Sequence, residues 1–293
     1  MEKIIYTKFS NDRAPEFNVV TEMRIENGER KVRKTPYSKE SVPHVENIHS
    51  WSKKLEKRFE KSGILVNQCS LKDNVAYFEY LSGETTESIL DGFMMQGDKE
   101  GFFKWVNQYI EKVEKVYPGE PFKPCDSFKE VFGEVELDEN IRATKELNID
   151  MIFGNIIEEN GQWVVIDYEW TFDFLIPIQF LFYRTAMFYL SYSPKREHFC
   201  GEELMRAFGI SESEEEQFRK MEQHFQVNYV LKNHNALHLM YRKFGKGSIT
   251  IEDYFKTREE LAVEIQKNDA LQNSTSWKLT KPLRIFVEKI RKS

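Results

Sequence analysis

Apolar and polar residues alternate through Val19, Thr21, Met23 and Ile25, the period of a strand with one buried face. Asn27-Gly28 follows, a pair that accepts the positive φ angles of a type I′ turn, and Glu29 to Lys34 returns as the partner strand. Beyond Pro36 the pattern predicts a polar helix over Val42 to Lys61, stopped by Ser62-Gly63. Two more strands are predicted near Ile64 to Ser70 and Val75 to Leu81, joined through Lys72-Asp73-Asn74. The order before Ser82 is strand, strand, helix, strand, strand.

From Ser82-Gly83 onward helical spacing takes over. Phe103, Val106, Ile110 and Val113 share one face of a helix over Gly101 to Val116. Pro118 to Pro124 is a connection rich in breakers. A short strand pair, Ile156-Ile157 and Trp163 to Ile166, flanks Asn160-Gly161. Helices fill the remainder, with capping boxes or close variants at Ser211-Glu-Ser-Glu214 and Thr250-Ile-Glu-Asp253. The expectation is an α+β chain of two lobes. A β-rich lobe covers 1–82, a mainly helical lobe 83–272, and a tail 273–293, with no internal repeat.

Composition narrows the class. Over 293 residues, 40% apolar and 31% charged suits a soluble globular protein, and 14% aromatic predicts a core of large side chains. A net charge of −6 excludes a protein that coats nucleic acid. Cys69, Cys125 and Cys200 are odd in number and far apart, which is neither a disulfide framework nor a zinc pattern, so a reducing cytoplasm is expected. The N-terminus lacks the apolar run of a signal peptide. The most apolar stretch, Phe172 to Leu190, is broken by Asp173, Pro177, Gln179 and Arg184, as suits a buried helix.

Four residues suggest chemistry. Asp150 precedes Asn155 by five positions in a loop after Leu147, and Asp167 ends the apolar strand Val164-Val165-Ile166. Lys34 lies far upstream on a strand, sharing a face with Val32. Phosphoryl transfer asks for alignment and charge stabilisation more than covalent help. An aspartate at position 150 can take the proton of an acceptor hydroxyl, while an amide oxygen and a carboxylate at 155 and 167 are hard ligands for Mg²⁺. Lys34 then meets the nucleotide phosphates and Val32 covers the base. Asp-x4-Asn alone is weak, because both residues favour loops for structural reasons. His234 and His238, one helical turn apart, lack a third ligand and read as packing.

The wording Asp150-Met-Ile-Phe-Gly-Asn155-Ile, then Val165-Ile-Asp167-Tyr-Glu-Trp170, resembles the catalytic and metal loops of the protein-kinase-like superfamily. It is most similar to the small-molecule branch, the choline/ethanolamine kinases and aminoglycoside phosphotransferases, over residues 5 to 240. The resemblance implies ATP and Mg²⁺ as cofactors, Phe78 to Glu84 as the hinge strand with backbone groups of Glu79 and Leu81 on adenine, and a helix glutamate paired with Lys34. Glu46 is the first choice for that glutamate and Glu56 the competitor. Glu169, two residues past Asp167, is a candidate support for the metal site. The sequence departs from the family at Asn148, where histidine is usual, at Trp170, and at Ser10 to Pro15, which stands where a glycine-rich loop is expected.

Lys8 to Arg13 and Ser274 to Arg284 resemble segments of bacterial surface-polysaccharide proteins, which implies a sugar or glycan acceptor and a glycosyltransferase partner. The alternatives are a choline- or ethanolamine-type acceptor and an inactive scaffold. Ser276 to Ser293 is basic and amphipathic, a pattern suited to peripheral contact with an anionic membrane face or to a partner domain.

Overall fold

The computed structural model describes residues 2–10, 12–232, 251–274 and 277. The chain divides into two compact units, Met1–His234 and Asn235–Ser293. His234, His238, Thr250 and most of the tail over 273–293 lie outside the described residues.

The first sheet is antiparallel and follows the turn chemistry. Strands β1 (Lys3–Phe9), β2 (Val19–Glu26) and β3 (Glu29–Pro36) run in sequence, with Asn27 at φ 53° and Gly28 at φ 90° closing the β2–β3 hairpin. Helix α1 (Val42–Phe59) comes next, and its buried face of His44, Val45, Ile48, Trp51, Ser52, Leu55 and Phe59 follows the helical period. Each large apolar side chain buried there contributes about 1.5–3 kcal/mol. Strand β1 carried no sequence signal, and all of its residues are exposed.

The expected strand over Ile64 to Ser70 is two strands serving two sheets. Strand β4 (Ile64–Val66) pairs in parallel with a strand far downstream, and β5 (Cys69–Lys72) pairs with β6 (Val75–Glu79) in the first sheet, whose order is β1-β2-β3-β6-β5. Asn67 makes the break. Its backbone N donates to Val165 O (2.9 Å), its side chain donates to Glu79 O (2.9 Å), and its carbonyl accepts from the Tyr168 hydroxyl (2.9 Å).

The helical part begins with β7 (Glu84–Thr85) and α2 (Thr86–Gln96), capped by the Thr85 side chain and ended by Gly97 at φ 69°. Helix α3 (Lys99–Val116) buries Phe102, Val106, Tyr109, Val113 and Val116, so its inner face is turned one position from the expected one and Phe103 and Ile110 flank it. Then come β8 (Glu120–Pro121), α4 (Asp126–Phe132), β9 (Arg142–Thr144), β10 (Leu147–Asn148), β11 (Ile156–Glu159), β12 (Gln162–Val165), β13 (Thr171–Phe172) and β14 (Ile176–Pro177). The second sheet is ordered β4-β12-β11-β7.

Helices α5 (Ile178–Ser191), α6 (Pro194–Ala207) and α7 (Glu212–His224) follow, the last opened by the full Ser211/Glu214 capping box and continued by a π-helical turn, Phe225–Val230. Phe132 has the rings of Phe172, Phe174, Phe180 and Phe225 within 6.2 Å, so the downstream phenylalanines build core. In the second unit, α8 (Ile251–Asn273) exposes nearly every side chain described. Among the described residues no helix is long and apolar enough to cross a membrane. The architecture has the expected α+β class, with sheet concentrated N-terminally and helix C-terminally.

Candidate active site

The loop between β10 and β11 is shaped by alternation. Ile149, Met151 and Phe153 are buried, and the intervening Asp150 and the following Asn155 are left at the surface of the core. Backbone and amide bonds then fix the loop. Asn155 Nδ2 donates to Asp150 O (2.9 Å), and Asn155 O accepts from Ile166 N (3.0 Å). The fully buried Asn148 donates from Nδ2 to Asp167 O (2.9 Å) and accepts from Asp150 N at Oδ1 (3.0 Å). One amide thus ties the two loops together, which accounts physically for an asparagine where histidine was expected.

Arg184 on α5 is 2% exposed and points its guanidinium at this loop. Nε donates to Ile149 O (3.0 Å), Nη2 to Asp150 Oδ1 (2.7 Å), and Nη1 to Glu222 Oε2 on α7. Burial pushes the Asp150 carboxyl up to about 6. Arg184 opposes that rise, while Asp167 and Glu169 add to it.

Lys34 is buried on β3, and its Nζ reaches Asp167 Oδ1 at 2.9 Å and Glu169 Oε2 at 3.2 Å. Burial alone would lower its pKa, but the two carboxylates reverse that and raise it. Glu169 is 6% exposed. Burial works against its charge, yet Lys34, Arg13 and His44 hold it well below the usual carboxylate range. Arg13 Nη1 lies 2.8 Å from Glu169 Oε1, and His44 Nε2 lies 3.7 Å from Oε2.

The expected Lys34–Glu46 pair is corrected by this arrangement. Glu46 is exposed on α1, as is Glu56, because the inward phase of that helix belongs to His44, Val45 and Ile48. The counter-charge for Lys34 comes from the loop after β12. Val32 is half-buried against the core two residues before Lys34 and opposite Phe78. Glu79 is exposed with its carboxylate on Lys31 (2.7 Å), and one acceptor position of its carbonyl is taken by Asn67. Leu81 is half-buried just beyond β6.

The donor set of Asn155 and Asp167 suits Mg²⁺. The Asn155 nitrogen is used by Asp150 O, which leaves its oxygen for a cation, and the Asp167 side chain is 30% exposed. Among the described residues no group of three or more His, Cys, Asp or Glu could hold a metal, so this pair would need the waters and phosphate oxygens that Mg²⁺ keeps. Residues not singled out from the sequence for this site include His44, Arg184 and Glu222. An arginine inside the most apolar stretch was the available signal for Arg184, since arginine is rarely buried without partners.

No protein-family model matches the chain, and no curated protein matches it. Solved structures similar to it include choline kinase LicA from Streptococcus pneumoniae, with 16% identity, TM-score 0.39, and coverage of 83% of this chain and 88% of that one. Macrolide 2'-phosphotransferase MphH from Brachybacterium faecium is similar at 11% identity and TM-score 0.39, covering 81% and 89%. A Plasmodium vivax ethanolamine kinase is similar at 13% identity and TM-score 0.32, covering 75% and 72%. What this chain does must therefore rest on its own side chains.

Proposed function

We propose that the chain is an ATP- and Mg²⁺-dependent phosphotransferase acting on an alcohol hydroxyl. The carrying observation is the 2.9 Å contact of Lys34 Nζ with Asp167 Oδ1, which joins a strand cation to a candidate metal ligand 133 residues away, beside Asp150 and Asn155. Transfer of a phosphoryl group depends on such positioned charges.

Lys34 neutralises phosphate oxygens of the nucleotide. Asn155 and Asp167 hold Mg²⁺, which when bound offsets the charge of the phosphates. Asp150 keeps Oδ1 on Arg184, leaving Oδ2 for the proton of the acceptor hydroxyl. The acceptor oxygen bonds to the terminal phosphorus as the phosphoanhydride bond breaks, the electron pair leaves with ADP, and the proton passes to Asp150. A carboxyl with a pKa of about 6 is ionised at neutral pH and more basic than an ordinary aspartate, as a general base should be.

For the acceptor, a sugar hydroxyl of a surface glycan or its precursor comes first, and choline- or ethanolamine-type amino alcohols second. A glycosyltransferase partner belongs to the glycan reading, while peripheral membrane contact rests on the basic amphipathic pattern of Ser276 to Ser293 and a cytoplasmic location on the dispersed cysteines.

The test is thermal unfolding with Mg²⁺-ATP, with ATP and chelator, and with Asp167→Asn. At 100 times its dissociation constant a ligand stabilises by about 2.7 kcal/mol. A midpoint shift that needs both Mg²⁺ and Asp167 supports the proposal and is followed by a sugar and amino-alcohol panel. The absence of a shift at millimolar Mg²⁺-ATP rejects it in favour of a scaffold.

A further inference from the structure

The connection from β1 to β2 has no glycine, yet it is bound tightly to the helical lobe. Ala14 N donates to Val230 O (2.8 Å), and Glu16 pairs with Lys232 (2.6 Å). The Phe17 ring packs at 5.0 Å from Trp170 and 5.2 Å from Tyr229. These contacts hold Arg13 against the loop that follows β12. Its guanidinium has Glu169 at 2.8 Å and lies over the Trp170 ring at 5.4 Å, and its side chain stays 19% exposed. Glu169 is shared with Lys34, which reaches Asp167 at 2.9 Å, so one carboxylate ties Arg13 to the candidate metal ligand.

We propose that Arg13 binds the terminal phosphate of the nucleotide, a guanidinium doing here what a glycine-rich loop does with backbone amides. Glu169 is the shared counter-ion that aims Arg13 and Lys34 together. The proposal rests on the phosphotransferase reading above. Neutralising Glu169 does not by itself call for an arginine, because Lys34 already lies 3.2 Å from it. Once Asp167 turns to a cation, Arg13 and Lys34 face a single carboxylate, and the excess positive charge matches an incoming polyphosphate. A guanidinium has five donors in a planar fork, so one edge can stay on Glu169 while the remainder meet phosphate oxygens. Arg13 lies on Oε1 of Glu169 and Lys34 on Oε2, and Lys34 also reaches Asp167, so the two cations serve different phosphates.

The experiment is calorimetric titration of wild type, Arg13→Gln and Lys34→Gln with Mg²⁺-ATP, Mg²⁺-ADP and adenosine. Arg13→Gln is expected to weaken Mg²⁺-ATP by about 10–100-fold, the worth of charged hydrogen bonds, with Mg²⁺-ADP affected less and adenosine unchanged. Should Arg13→Gln fail to fold, Arg13→Lys keeps a charge on Glu169 but loses the planar fork, and is expected to weaken Mg²⁺-ATP more than Mg²⁺-ADP with adenosine unchanged. Equal ATP affinity in wild type and Arg13→Gln, with loss in Lys34→Gln, overturns the arginine proposal and leaves the phosphotransferase reading intact. Parallel weakening of ATP and adenosine also overturns it, because Arg13 then only holds the fold. Wild type that binds none of the nucleotides overturns both.

Discussion

The two sides of the candidate site are built by different physics. The side formed by residues 148–155 and 166–167 is held mainly by hydrogen bonds among its own backbone and amide groups, around Asn148 and Asn155, with the buried Arg184 guanidinium behind it on Ile149 O and Asp150 Oδ1. The side from the sheet, Lys34 with the loop carrying Arg13 and Phe17, reaches across through charges and rings that converge on Glu169 and Trp170. The first side is set before any ligand arrives. The second is held by counter-charges that an anionic ligand can share. On the function proposed above, the loop after β12 would anchor a phosphate-binding loop that contains no glycine.

Breaking the preset side at its reactive atom should have the largest effect. Asp150→Asn is expected to lower phosphotransfer about 10²–10⁴-fold while Mg²⁺-ATP affinity, read by calorimetry, holds. Equal loss of affinity would mean that Asp150 serves binding and not proton transfer. Breaking the anchor of the other side should cost stability. Trp170→Ala is expected to lose about 3–5 kcal/mol in a urea titration, since the ring is 5% exposed and meets Phe17, His44, Phe225 and Tyr229. A loss under 1 kcal/mol would show that the loop is held without the ring, by Glu169, the Ala14–Val230 bond and the Glu16–Lys232 pair.

A pH profile sharpens the contrast more gently. Asp150 works as the carboxylate, and its pKa is raised to about 6, so it is protonated and idle below that value. The rate should fall about tenfold per pH unit on the acid side of 6 and level off above. A flat profile down to pH 5 would exclude Asp150 as the titrating base. The smallest effect is expected at Glu46→Gln, where stability should stay within about 0.5 kcal/mol because the side chain is exposed and Lys34 is paired elsewhere. A loss of nucleotide affinity there would restore the helix glutamate.

What the sequence disclosed was local. Asn27-Gly28 marked a hairpin by its φ angles, and Ser211 with Glu214 marked a helix start by reciprocal bonds. Asp150, Asn155 and Asp167 were readable because they lie within one short stretch. What stayed hidden depends on closure across distance. Helix phase decided between His44 and Glu46, and phase is set by packing on a sheet whose strands lie far apart in sequence. The split of Ile64 to Ser70 required a parallel partner about a hundred residues on. Arg184 looked like an interruption of an apolar run until α7 brought Glu222 to meet it.

Asn67 gives the molecule a mechanical character. The chain passes from β3 through α1 to β4, from β4 back to β5, and from β6 on to β7, crossing between the first and second sheets each time. Asn67 lies in the second crossing and bonds to Val165, Tyr168 and, at the start of the third crossing, Glu79. Because these bonds meet at one residue, the end of β6, the end of β12 and the loop carrying Tyr168 are held together there. Replacing the side chain would release Glu79 O alone, since the bonds to Val165 and Tyr168 use the Asn67 backbone.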